Sequence, residues 1–253
     1  MPRPDASTKL AATKPKDNSK LQLWIAVGLV LALVVGGFAA VILTNSGNST
    51  SNAAGPTNSI SDGNGLQVYP GKAKAAVPDV QLYVDYQCPI CNEFEKANGE
   101  QMMQMAQAGD IKLTVHVMSF LDNNLGNNSS KQAANAAFCA DDAGKFAQFH
   151  TELFKNQPTQ EGAGYPTSIY QTVAQKVGIT GTALNTFNTC VKDDKYKSYV
   201  TATEQRSGKN GVNGTPTLMV NGHSTANDNT AFTQLTQQQN SFKTVVEQYA
   251  KKS

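Results

Sequence analysis

Two cysteines three positions apart are the residues of this chain best placed to do chemistry. They lie in the stretch Asp85-Tyr86-Gln87-Cys88-Pro89-Ile90-Cys91. The apolar, β-rich run Val80-Gln81-Leu82-Tyr83-Val84 precedes it, and the helix-like run Asn92-Glu93-Phe94-Glu95-Lys96-Ala97 follows it. The pair therefore falls where a strand turns into a helix. A helix N-terminus presents unpaired N–H groups and the positive end of the dipole, which stabilise a thiolate. The thiolate is the species that attacks a disulfide, and C-x-x-C cysteines in such a place have lowered pKa values. Pro89 lacks an N–H and has a preset φ, which suits a first helical turn. The arrangement predicts Cys88 as an exposed nucleophile and Cys91, one turn deeper, as the resolving thiol.

Two other uses of a C-x-x-C compete. A zinc site needs about four ligands. Here Cys139 and Cys190 are far apart in sequence, and His116, His150 and His223 have no ligand spacing between them. A structural disulfide is the second alternative. No metal or organic cofactor is expected.

A formal net charge of +2 over 253 residues, with Lys and Arg scattered, gives no basic stripe for nucleic acid. Four cysteines fit either two disulfides in an oxidising compartment or a reduced cytosolic protein. The N-terminal segment bears on that choice. From Trp24 to Leu43 there are 20 residues without a charge. At about 1.5 Å per residue such a helix crosses a hydrocarbon core of roughly 30 Å. A cleaved signal peptide, with Ala39-Ala40 near its end, is the alternative, but its apolar region is shorter, about 7–15 residues. Arg3, Lys9, Lys14, Lys16 and Lys20 precede the span, and no Lys or Arg follows it until Lys72. The positive-inside rule then puts the N-terminus in the cytoplasm and the rest outside, where disulfides persist.

The elements that must position the cysteines follow in order. Residues 1–20 read as a polar cytoplasmic tail, 21–43 as a transmembrane anchor, and 44–65, rich in Asn, Ser, Thr and Gly, as a flexible linker. A domain over 66–253 begins with a short strand at 66–69 and a strand at 80–86. A helix from Cys88 to Ala108 follows, with Phe94, Ala97 and Met105 facing inward. The strict alternation from Ile111 to Met118 predicts a strand with one buried face, and His116 falls on its polar side, at a surface or edge. Residues 123–205 are mostly helical in pattern. Gly214-Thr215-Pro216-Thr217-Leu218-Met219-Val220 and the Asn221-Gly222 turn predict a hairpin, and Asn240–Lys251 an amphipathic helix. The order is β-α-β, a helical block, then β-β-α.

Taken together, the Asp85–Cys91 stretch, Gly214-Thr215-Pro216-Thr217 before a strand, and Val220-Asn221-Gly222 resemble the DsbA-like branch of thioredoxin-fold thiol–disulfide oxidoreductases, over roughly residues 66–253. The resemblance implies an α/β, thioredoxin-like fold with an inserted helical subdomain, preceded by one N-terminal transmembrane helix. It implies that Pro216 is cis and lies beside the cysteines, with Thr215 offering backbone hydrogen bonds to an extended substrate. Pro89, Ile90 and Asp85 complete the support of the active site. It implies that Cys139 and Cys190 form a second, structural disulfide, with two free buried cysteines as the alternative. Relatives such as thioredoxin and DsbA carry a buried carboxylate six residues before the first cysteine, where this chain has Leu82; here Asp85 is the nearby acid. Pro89-Ile90 in place of Pro-His implies a less extreme oxidant.

The function implied is disulfide formation in exported proteins by a single-pass protein of the cell membrane. Its partners would be reduced or unfolded exported proteins and a membrane reoxidase of the DsbB or vitamin-K-epoxide-reductase-like type, and a monomer is the expected state. A reductase or isomerase of the same fold, or a non-catalytic anchored binding module, are the alternatives.

Overall fold

The computed structural model describes residues 54–252. The tail over 1–20 and the anchor over 21–43 lie outside them. Among the described residues no helix is long and apolar enough to cross a membrane. A short 3-10 turn at Ser61–Gly63 leads into β1 (Leu66–Gln67) and β2 (Asp79–Val84). Then come α1 (Pro89–Phe94), a π turn at Glu95–Gly99, α2 (Glu100–Ala108) and β3 (Lys112–Val117). The helical block comprises α3 (Leu121–Leu125), α4 (Ser129–Asp142), α5 (Phe146–Lys155), α6 (Ser168–Lys176), α7 (Gly181–Lys192) and α8 (Lys197–Lys209). The chain closes with β4 (Thr217–Val220), β5 (His223–Ser224), α9 (Asn229–Gln237) and α10 (Phe242–Ala250).

The sheet runs β1-β3-β2-β4-β5. At its centre β2 pairs parallel with β3, Leu82 opposite Val115, and antiparallel with β4, Leu82 opposite Leu218. These side chains are buried, as a central strand covered on both faces requires. The hairpin turn sits at Asn221-Gly222, with φ of 50° and 83°. Those positive angles are what a tight two-residue turn between twisted strands needs.

The structure departs from the sequence reading in four places. β3 is buried on both faces rather than one, because β1 pairs along its outer edge and α8 packs across it. His116 is therefore 2% exposed and not at a surface or edge. It stacks on Tyr83 at 4.1 Å between ring centroids, and neither ring nitrogen has a partner. Burial without a partner for the charge lowers its pKa to about 3.

The folded unit also begins earlier than residue 66. Residues expected in the flexible linker are fastened to the helical block: Asn58 donates to the Asp141 carboxylate from both N (2.7 Å) and Nδ2 (2.8 Å). Thr57 Oγ1 donates to Asp142 Oδ1, and the Tyr199 Oη donates to the Ile60 and Gly65 carbonyls.

The helix after Cys88 is interrupted by the π turn. Two buried polar side chains mark that turn, Glu95 hydrogen-bonded to His150 and Asn98 bonded to the Leu235 carbonyl and the Phe242 N–H. Finally, α9 was not anticipated. Asp228 caps it by accepting from Thr230 N and Ala231 N, both at 3.0 Å.

Candidate active site

The turn that ends β2 brings the cysteines to the tip of the helix. Cys88 N donates to Asp85 O at 3.0 Å, closing the turn, and Cys88 then occupies the N-cap of α1 with Pro89 in the first turn. In that position its Sγ accepts from the Cys91 N–H at 3.4 Å, the bond a Ser or Asp oxygen makes in an ordinary cap. The Cys88 thiol also approaches the Thr215 carbonyl at 3.5 Å. The Thr215-Pro216 bond is cis, and the loop carrying it lies over the pair although 127 residues separate Cys88 from Thr215.

Cys88 is only 6% exposed, a correction to the exposed nucleophile expected from the sequence. The Thr215-Pro216 loop covers it from one side. From the other, the Gln157 amide donates to Tyr86 O at 2.8 Å and to Cys88 O at 3.0 Å. Cys91 is fully buried, and neither cysteine of the pair is in a disulfide. Ile90, between them, is partly buried and packs against the core.

The two thiols are electrically unlike. A hydrogen bond from Cys91, with help from Thr215 and the first N–H groups of the helix, holds the Cys88 pKa below the ordinary thiol value against the opposing cost of burial. Burial pushes Cys91 well up, and the neighbouring Cys88 charge adds to the rise. Of the two thiols, Cys88 is the one that gives up its proton first as pH rises.

Asp85 is completely buried beneath the same turn. Its Oδ1 accepts from Gln87 N at 2.9 Å and Ser130 Oγ at 2.6 Å, and its Oδ2 from Leu121 N at 3.4 Å. Burial nevertheless raises its pKa well above the usual carboxylate range. Gln87 is tied into the helical block, donating from Nε2 to Asp122, Asn127 and Ser130, each at 2.9 Å. The block thus grips the residues on either side of Tyr86, while Tyr165 Oη donates to Tyr86 O at 3.1 Å. Beneath the active-site helix, Tyr86 Oη, His150 and Glu95 form a buried hydrogen-bonded row with steps of 2.9 and 3.0 Å.

The other two cysteines lie elsewhere. Cys139 of α4 and Cys190 of α7 form a disulfide with a Cα–Cα distance of 5.9 Å. As a disulfide they present no thiolates to join Cys88 and Cys91 around a metal ion. A groove of about 420 Å³ opens beside the cis-proline loop, lined by Phe94, Gly214, Thr215, Pro216, Phe232 and Leu235 among others. The Thr215 Oγ1 is buried and has no hydrogen-bond partner.

The sequence reading missed the roles of Gln87, Ser130, Gln157 and Tyr165. Polar residues in a helical block read as solvated surface unless something shows that the block folds back over the site. The only available signal lay in the proximity of Gln87 to the cysteines.

A strand that delivers two cysteines to a helix start, faced by a cis-proline loop, is the arrangement of a thioredoxin-like fold. Comparison with known proteins agrees. A thioredoxin family model matches residues 64–240, and the chain belongs to that family. Among solved structures it is similar to MdbA, a thiol-disulfide oxidoreductase from Actinomyces oris, at 20% identity and a TM-score of 0.64, covering 78% of this chain and 96% of that one. MdbA from Corynebacterium diphtheriae matches at 19% identity and a TM-score of 0.59, covering 76% and 95%. Oxidised BdbD from Bacillus subtilis matches at 22% identity and a TM-score of 0.57, covering 79% and 100%. A search of curated protein sequences found no match.

Proposed function

We propose that this chain is a membrane-anchored thiol–disulfide oxidoreductase that forms disulfides in exported proteins on the outer side of the cytoplasmic membrane. The observation that carries the reading is the asymmetry of the pair, a low-pKa Cys88 capping the helix and a buried, high-pKa Cys91 behind it. In the oxidised enzyme a substrate thiolate attacks Cys88, the Cys88–Cys91 bond breaks, and Cys91 leaves with the electron pair and takes up a proton. A second substrate thiolate attacks the substrate sulfur of the mixed disulfide and expels Cys88 as a thiolate. The substrate leaves oxidised and the pair reduced. A Cys88 charge stabilised by the helix start favours the reduced pair, which is the bias an oxidant needs.

Asp85 is the acid that supplies the Cys91 proton and takes it back when the pair is reoxidised. The groove beside Thr215 and Pro216 would hold the extended substrate. Reoxidation falls to a membrane oxidase of the DsbB or vitamin-K-epoxide-reductase-like type. The apolar stretch at 24–43, with its N-terminal Lys and Arg flank, supports an anchor with the cytoplasm at the N-terminus.

The test is the redox equilibrium of the pair against glutathione, read by trapping free thiols. A pair reduced far more readily than Cys139–Cys190 supports the oxidase. A pair as hard to reduce as that structural bridge overturns it in favour of a reductase.

A further inference from the structure

The loop from Ser119 to Leu121, between β3 and α3, is held from two sides by buried carboxylates. Glu204, on α8, accepts from Ser119 N at 2.7 Å and also bonds the Phe120 N–H, while Asp85 Oδ2 accepts from Leu121 N at 3.4 Å. Three successive backbone N–H groups thus face two acids that lie within each other's field. The second Glu204 oxygen, Oε1, is buried and has no partner.

Few charges offset them. Lys131 of α4 attracts Glu204, and Cys88 repels Asp85. Tyr165 lies close to both Asp85 and Cys91, and Asp122 of α3 bonds Ser130, which in turn bonds Asp85. From β3, against which α8 packs, the only imidazole is His116, which stays neutral down to about pH 3. Two neighbouring buried carboxylates with so little compensating charge do not ionise independently. Burial raises Glu204 to about 7, within the working range of an enzyme at neutral pH.

We infer that Asp85 and Glu204 hold one proton between them across the Ser119–Leu121 loop, and that Glu204 is a positioning residue that sets when Asp85 can take the proton of Cys91. The inference rests on the exchange reading above and adds Glu204 to it. The Asp85 main chain lies against the Cys91 sulfur, so the Asp85 carboxylate belongs to the same buried turn as the thiol that must lose its proton. In the resolving step Cys91–SH gives its proton to Asp85 and its sulfur attacks Cys88 of a mixed disulfide. The Cys88–Cys91 bond forms, the bond from Cys88 to the partner sulfur breaks, and the partner leaves as a thiolate. Ionised Glu204 makes Asp85 a stronger base; protonated Glu204 makes it a weaker one.

The test uses the reduced full-length chain and the aromatic disulfide dithiobis(nitrobenzoate), from about pH 5 to about pH 9. The first coloured thiolate reports attack by Cys88, and the second reports attack by Cys91 on the mixed disulfide. The wild-type rate of second release falls on the acid side as Asp85 is protonated. Glu204→Gln moves the midpoint of that fall toward acid by roughly one pH unit, because the like charge is gone. Glu204→Asp, which keeps the charge, leaves it near the wild-type value. Asp85→Asn slows second release by about 100-fold and abolishes the acid limb. A folded Glu204→Gln protein, melting cooperatively, with an unmoved midpoint overturns the inference. A wild-type chain that releases only one thiolate overturns the exchange reading itself.

Discussion

The Cys88 sulfur accepts the Cys91 N–H at 3.4 Å, so the reactive thiol and the cap of its own helix are one atom. Substitutions at Cys88 therefore separate two roles that usually belong to two residues. Cys88→Ser keeps an acceptor at the cap, so stability stays near wild type while thiol exchange is lost. Cys88→Ala loses both, and its urea midpoint should fall by an amount equivalent to about 1 kcal/mol. Equal stability of the two variants would show that the cap carries no weight.

His116 makes an acid-labile core. Its folded pKa, about 3, lies below the 6.5 of an unhindered imidazole. The unfolded chain binds the extra proton first, so stability is full above pH 6.5 and is lost as pH falls toward 3. The difference reaches roughly 4 kcal/mol near pH 3.5. His116→Phe keeps the stack on Tyr83 and should flatten the acid side of a plot of melting temperature against pH.

Glu204 works in the opposite sense. Its folded pKa, about 7, lies above the ordinary 4.5, so its contribution is full below pH 4.5 and lost as pH rises through 7. Glu204→Gln should be more stable relative to wild type at pH 8 than at pH 4.5, by roughly 3 kcal/mol. Equal offsets at the two pH values would show that Glu204 ionises freely in the fold.

The bridge between Cys139 and Cys190 closes a separation of 51 residues. The chain-entropy argument assigns such a loop about 4 kcal/mol. The double variant Cys139→Ala, Cys190→Ala should show that loss in urea unfolding while the Cys88–Cys91 pair still exchanges thiols. Loss of exchange in a folded double variant would place the second bridge within the catalytic apparatus.

The core architecture was legible because β2, β4 and the cysteine turn announce themselves locally. Four apolar residues in a run of five lead into Asp85, and Asn221-Gly222 needs no distant partner to make its turn. His116 was misread for the opposite reason. Alternation along β3 reports one buried face only when the other meets water, and there α8 supplies the cover from some 90 residues away. The same blindness hid Glu204 and Gln157. In the sequence Glu204 is a polar residue of a helical, solvent-like stretch and Gln157 sits at a break in it, and only the folding of that block brings Gln157 against Cys88 and Glu204 near Asp85. The linker ended early for a similar reason, since Asn58 and Thr57 are fastened by Asp141 and Asp142, acids that look solvent-exposed in one dimension.

That fastening also sets how the protein bears load. Thr57 and Asn58 are gripped at the last turn of α4, about 18 Å along the helix from Ser130, which holds Asp85. Tension arriving from the N-terminal side meets Asp141 and Asp142 first, on a helix that Cys139 clips to α7. The pull is shunted into a covalently braced part of the molecule, and the turn carrying Cys88 is mechanically insulated from whatever tugs on the chain upstream.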